Sequence, residues 1–342
     1  MHRVVFYVTM TTPRQQENTA SGVDMKPDQQ RFSGVWVPVL TPFRADLRVN
    51  EEAFVTHCRW LLGQGADGLA VFGTTSEANS LSLGERTLLL ERLIDSGIPA
   101  DRLMPGVGCC ALPDTLHLCR HALDHGCDAV LMLPPFYYKG VSEEGLFAAF
   151  SWIIEQTGSR GLRVFLYHIP PVAMVPITTS LIERLRAAHP RQIAGLKDSG
   201  GNWDHTREVL GRFPDMAVFA GSERFLLNTL RHGGAGCITA SGNVSPAGIR
   251  VVYERWLDDA PDTDAAQRRI ESVRDVLESS RMIPALKSLC ARHYGDSEWR
   301  HVRPPLTALS QEEENDLFHG LDGLGFSMGD NRQSVSRIVE SG

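Results

Sequence analysis

Apolar and polar positions follow two rhythms along this chain. Short apolar runs of four to six residues recur at 35–40, 68–72, 103–107, 129–133, 163–167, 193–197, 217–220 and 236–239. Each is followed by a longer stretch whose apolar residues repeat every three to four positions: 51–62, 84–95, 114–125, 143–156, 179–188, 203–213, 223–232 and a last one from Pro246. Runs that are apolar on both faces and too short for a helix read as buried strands, and the longer stretches read as amphipathic helices.

Eight strand–helix units in succession predict a parallel sheet covered on both sides. They close most simply as a (β/α)8 barrel, an α/β TIM barrel, over residues 32–255. An open doubly wound sheet is the rival, but no G-x-G-x-x-G or Walker A loop follows any of the runs. Helical spacing continues at 264–278, 282–294 and 311–321, so residues 256–325 are expected to form an additional C-terminal helical region packed on the barrel. Residues 11–31 and 327–342 are polar and aperiodic, while Val4–Met10 is mildly apolar but too short for a signal peptide, so 1–31 and 326–342 are expected to be an N-terminal extension and a tail without fixed structure; Met25 offers an internal start.

The chain has 342 residues, 42% of them hydrophobic and 22% charged, which is ordinary globular composition with ample length for a large core. A net charge of −7 supplies no basic surface for nucleic acid. The seven cysteines are odd in number and none is spaced C-x-x-C, which argues against a zinc site or disulfide framework and points to a reducing cytoplasm. No apolar run reaches membrane-spanning length.

In a barrel of this kind the chemistry gathers where strands end. Unusual residues sit at those ends: Gly73-Thr74-Thr75 after the second run, Tyr137-Tyr138 after the fourth, Tyr167 closing the fifth and Lys197 closing the sixth. Lys197 is either a strand-end lysine snorkelling to solvent or a desolvated amine able to attack a carbonyl. Tyr167 is either a rim aromatic or a phenol placed for proton transfer. Thr74 and Thr75 either cap a turn or offer hydroxyls and backbone N–H groups to a carboxylate. Strand alternation turns Asp198 away from Lys197, and His168 away from Tyr167.

Gly73-Thr74-Thr75-Ser76-Glu77, with Glu85 further on, resembles the first signature, G-[ST]-T-G-E, of the dihydrodipicolinate synthase / N-acetylneuraminate lyase family. Tyr167-His168-Ile169-Pro170, continuing to Gly195-Leu196-Lys197-Asp198-Ser199, is similar to its second. Pro134-Pro135-Phe136-Tyr137-Tyr138 and Arg303-Pro304-Pro305-Leu306 resemble further segments, so that the likeness covers residues 32–325. It implies a class I, pyruvate-dependent aldolase that needs neither metal nor bound cofactor. Lys197 would form the Schiff base, Tyr167 would be the general acid/base, Gly73, Thr74 and Thr75 would hold the pyruvate carboxylate and relay protons, and Tyr138 would reach into a neighbouring subunit. Family members are commonly tetramers built as dimers of dimers, so a homo-oligomer is implied.

Departures from the pattern bear on the substrate. Ser76 replaces the usual glycine, and His168 stands where Asn is common. Val172 occupies the position at which synthases of 4-hydroxy-tetrahydrodipicolinate carry Arg to hold a second carboxylate, which valine cannot do. This favours a neutral or hydroxylated aldehyde partner, of the kind released from a 2-oxo-3-deoxy sugar acid. Glu223 is read either as an acceptor for sugar hydroxyls or as a helix-initiating acid. Ile238 and Ser241 are expected to line the pocket. The lysine-biosynthetic synthase, a keto-deoxy sugar acid dehydratase and a non-catalytic 2-oxo acid sensor remain as alternatives.

Overall fold

The computed structural model describes residues 31–158 and 161–329. Among the described residues there are seven strands: β1 (Gly34–Val37), β2 (Gly68–Leu69), β3 (Ala129–Met132), β4 (Arg163–His168), β5 (Ile193–Asp198), β6 (Ala217–Ala220) and β7 (Gly236–Ile238). All pair in parallel, in the order β2-β1-β7-β6-β5-β4-β3. The ring closes between β2 and β3 through residues 103–107. There, parallel bridges join Leu69 to Leu103 and Gly106 to Leu131. The third strand expected from the sequence is thus reduced to bridges, because Pro105 carries no N–H to continue a ladder. β2 is shortened as well, and Phe72 just beyond it has left-handed φ of 62°.

Helices wrap the outside, each after its strand: α1 (Glu51–Gly63), α2 (Leu83–Asp95), α3 (Leu112–Asp124), α4 (Glu143–Thr157), the single turn α5 (Pro170–Ala173), α6 (Thr179–Ala188), α7 (Trp203–Arg212), α8 (Leu226–Arg231) and α9 (Pro246–Leu257). Their starts are encoded locally. Asn50, Ser82, Ser142, Thr178 and Asn202 each accept a first-turn backbone N–H, and Ser82 with Glu85 forms a reciprocal capping box. The stretch expected as one helix from Glu223 is split. A 3-10 turn (Glu223–Phe225) precedes α8, with Glu223 drawn into the core. Apolar spacing gives no sign of α5, since a single turn opened by Pro170-Pro171 is too short to show helical periodicity.

Alternation sorts the strand residues between two cores. Trp36, Leu131, Phe165, Tyr167, Phe219 and Ile238 fill the barrel. Val37, Val130, Val164, Leu166 and Val218 pack outward against helices. Gly195 shows why β5 needs a residue without a side chain: a Cβ there would lie 2.3 Å from the Ala217 carbonyl oxygen and 2.4 Å from the Phe165 ring. The ring of Phe165 therefore fills the barrel one step below Lys197.

α10 (Thr263–Glu278), α11 (Met282–Tyr294) and α12 (Gln311–Gly323) form the C-terminal layer. The predicted extension and tail lie almost wholly outside the described residues. Where they are described, the assignment changes: Met328 is buried, and Phe326 packs against the main core. Among the described residues no helix is long and apolar enough to cross a membrane.

Candidate active site

β4 and β5 are in register so that Tyr167 pairs with Lys197 and His168 with Asp198. The first pair points into the barrel and the second outward, as alternation requires. Lys197 is 2% exposed and its Nζ lies 4.2 Å from the centre of the Tyr167 ring. The Tyr167 hydroxyl donates to Thr74 Oγ1 at 3.3 Å. Burial alone would raise the phenol pKa. The charge of Lys197, with hydrogen bonds involving Thr74, Lys197 and Ser199, outweighs burial and holds it below the usual value. Amine, phenol and hydroxyl are thereby gathered from three segments that are far apart in sequence.

Tyr167, Gly73 and Thr74 line a small cavity, together with Asn79, Gly106 and Leu133. Thr75 is buried beside Thr74. The turn carrying them is held by interior bonds. Thr41 Oγ1 donates to the Ser76 carbonyl at 2.8 Å, and Ser76 Oγ accepts from Gly73 N at 3.2 Å. The serine that replaces glycine is thus used by the turn. The left-handed residue is the next one, Glu77, with φ of 55°.

Glu77 is also the hinge of a buried ion network. Its carboxylate pairs with Lys287 of α11, both side chains being almost wholly enclosed, and accepts from Arg303 N at 3.0 Å. Lys287 donates to the His301 carbonyl at 2.8 Å, and burial pulls its pKa down to about 8. Arg303 grips Glu85 through two nitrogens and the Ser80 carbonyl at 2.7 Å. The C-terminal layer is thereby wired to the Gly-Thr-Thr turn. Sequence reading noted Glu77, Glu85 and Arg303 only as signature letters. Thr41 and Lys287 gave no signal, since a lone threonine and a lysine inside a helix are unremarkable.

Other expected residues lie in different places. Ile238 is buried inside the barrel. Ser241 and Glu223 are buried as well, but they face each other. The Glu223 carboxylate accepts from Ser241 and Thr239 and pairs with Arg274 of α10 at 3.0 Å. Its oxygens are taken by protein donors, so the reading of Glu223 as an acceptor of sugar hydroxyls is corrected to an internal strut. A buried carboxylate without such partners would be costly. Val172, on α5, is 61% exposed. Tyr138 is 74% exposed, with Tyr137 set edge-on to it at 5.3 Å.

A wider groove bordered by Arg44, Glu52, Glu85 and Leu88 includes none of Lys197, Tyr167, Thr74 and Thr75. Among the described residues two groups offer metal-type ligand atoms within 4.8 Å of one another: Glu91–His121–His125 on the outer helices, and His168–Asp198–His205 behind Lys197. In the second, hydrogen bonds within the protein already occupy both carboxylate oxygens and three of the ring nitrogens. All seven cysteines are free thiols.

The sequence matches the dihydrodipicolinate synthetase family over residues 31–322. It is 38% identical over 281 residues to an uncharacterized DapA-like lyase of Chloroflexus aurantiacus, covering 82% of this chain and 93% of that one. The fold superposes on dihydrodipicolinate synthase from Agrobacterium tumefaciens with a TM-score of 0.79, at 34% identity, covering 85% of this chain and 99% of the other. It also superposes, with a TM-score of 0.77 at 26% identity, on the Escherichia coli prophage protein YagE in complex with pyruvate, covering 86% and 99% of the two chains. With this barrel and these signatures, the chain belongs to the dihydrodipicolinate synthetase family and is a lyase.

Proposed function

We propose that this lyase joins or cleaves a carbon–carbon bond between pyruvate and a neutral or hydroxylated aldehyde by way of a Schiff base on Lys197. The observation that carries the reading is the buried amine of Lys197 lying 4.2 Å from the Tyr167 ring, with the Tyr167 hydroxyl bonded to Thr74. In the uncharged form the amine attacks the keto carbon, and water leaves as the imine forms. The iminium acidifies the pyruvate methyl, whose proton passes to the Tyr167 phenolate as the enamine forms; the enamine adds to the aldehyde carbon, the aldehyde oxygen takes up that proton, and water hydrolyses the product imine to free Lys197. Cleavage is the same path in reverse. Tyr167 passes protons to and from the carbinolamine and the aldehyde oxygen, with a phenol already tuned below its ordinary pKa. Gly73, Thr74 and Thr75 are suited to hold the pyruvate carboxylate by N–H and hydroxyl donors. Tyr138, exposed on one subunit, would complete the relay of a neighbour in a dimer of dimers. The pyruvate complex of YagE supports the choice of 2-oxo acid.

The test is reductive trapping. Borohydride with pyruvate should add one three-carbon unit to the wild-type mass and none to Lys197→Ala; an adduct that persists in Lys197→Ala overturns the assignment. A second reading, 4-hydroxy-tetrahydrodipicolinate synthase, is favoured by the likeness to the Agrobacterium enzyme. Val172, on the turn that follows β4, opposes it, because an apolar side chain gives the semialdehyde carboxylate no partner. Turnover with aspartate semialdehyde separates the two.

A further inference from the structure

The outward face of the strand ends carries its own constellation. His168 and Asp198 follow Tyr167 and Lys197 in paired register. The rings of His168 and His205 stack at 4.1 Å with 15° between planes. Asp198 Oδ2 accepts from Thr206 Oγ1 at 2.7 Å and lies 2.8 Å from His205 Nδ1, while Oδ1 accepts from Gly200 N at 2.9 Å. The other edge of each ring meets residue 177: His168 Nδ1 accepts from Ile177 N at 3.0 Å, and His205 Nε2 is 3.2 Å from the Ile177 carbonyl.

The partners fix the protonation. Ile177 N is a donor, so His168 Nδ1 bears no proton and that ring is neutral. A carboxylate and a carbonyl are acceptors only, so both nitrogens of His205 must donate, and that ring is an imidazolium. Environments agree with this. Burial and the neighbouring His205 charge push His168 down to about 4. Burial opposes the charge on His205, but Asp198 outweighs it and the pKa is raised. The titratable groups facing His205 are Asp198 from β5, His168 from β4 and Glu208 from its own helix. Ile177 belongs to the segment 174–178, which follows the turn carrying Val172 and borders a groove with Gly140 and Val141, just past Tyr138.

We propose that His205 is a positioning residue: as an imidazolium bonded to both Asp198 and Ile177, it latches segment 174–178, and with it the turn that carries Val172, to the end of β5 and so sets that turn relative to Lys197. The proposal rests on the assignment of Lys197 as nucleophile. Above the pKa of His205 one of its two bonds must be given up, and the latch slackens.

Three measurements on the full-length protein test this. Ring 15N shifts of wild type at pH 7 should show His205 protonated at both nitrogens; a neutral ring overturns the latch. His205→Phe keeps a ring on His168 but removes both donors. It should speed amide exchange of residues 174–178 about tenfold, and the same amides in wild type should loosen as pH rises while those of the variant do not. With pyruvate and glyceraldehyde as the probe pair, the variant should lose about tenfold in kcat/KM for condensation, yet trap pyruvate on Lys197 within about twofold of wild type. His168→Asn, which keeps an acceptor for Ile177 N, should restrain the segment better than His168→Phe. Equal exchange and pH behaviour in His205→Phe and wild type would falsify the proposal, and so would parallel loss of trapping and condensation. If wild type itself traps no pyruvate, the nucleophile assignment fails, and the ring shifts and amide exchange still decide the latch.

Discussion

At the scale of the residue, the site depends on two side chains whose environments were invisible in one dimension. Lys197 and Tyr167 sit thirty positions apart, and only the register of β4 with β5 brings them into contact. Tyr167→Phe keeps the ring against Lys197 but removes the proton. It should lower kcat by about 10²–10⁴-fold, the usual contribution of a general acid/base, with the fold unchanged by circular dichroism. In the proposed function, Val172 stands where the second substrate's carboxylate would need a partner, and restoring a charge there tests that role. Val172→Arg should raise kcat/KM for a carboxylate-bearing aldehyde about tenfold or more over its neutral counterpart, since a hydrogen bond to a charged group is worth ~1.5–3 kcal/mol. No change in that ratio would remove Val172 from the specificity argument. Glu223 shows the reverse lesson. A strand-end carboxylate looked available for ligand, yet Arg274 from a helix fifty-one residues later takes it.

At the scale of the element, the Gly73–Glu77 turn is held from outside itself. Its left-handed Glu77 faces Lys287 in α11 and the Arg303 backbone. Removing one partner leaves a buried charge uncompensated, which costs about 3–5 kcal/mol. Lys287→Met should therefore lower the unfolding free energy extrapolated from urea titration by that amount and depress activity through the turn. Adding Glu77→Gln should recover much of the stability without recovering activity, because the turn loses its anchor. A Lys287→Met protein as stable as wild type would show that the network contributes little. The helix boundaries, by contrast, were legible from the sequence. Capping residues and apolar spacing are local, and α1, α2, α4, α6 and α7 begin where Asn50, Ser82, Ser142, Thr178 and Asn202 place them. Elements interrupted by proline escaped or were overstated: α5 on one side, the strand at 103–107 on the other.

At the scale of the whole molecule, stability should depend on pH through buried histidines. Burial pulls His57, and burial with the charge on His205 pulls His168, from 6.5 to about 4. Between those values the unfolded chain binds protons that the folded one does not, so stability rises with pH across this window and is lost as pH falls from 6.5 toward 4. His57 is fully enclosed, between Asn243 and Tyr294, and its share is on the order of 3 kcal/mol. His205 works in the opposite sense: its pKa is raised, so its contribution is full at low pH and is lost as pH rises through the folded value. Urea midpoints at pH 7 and pH 5 should differ less in His57→Gln than in wild type; an identical difference would exclude His57 as the source.

The sequence by itself determined the repeating unit, the barrel it closes into and the residues carried to the strand ends, because those follow from local periodicity and side-chain alternation. Tertiary structure alone decided which of those residues meet. Whether a buried carboxylate is free or spent, and which distant helix braces a turn, depends on long-range neighbours that supply charge and hydrogen bonds in a site with little water. Glu223, Lys287 and His205 acquire their roles only there.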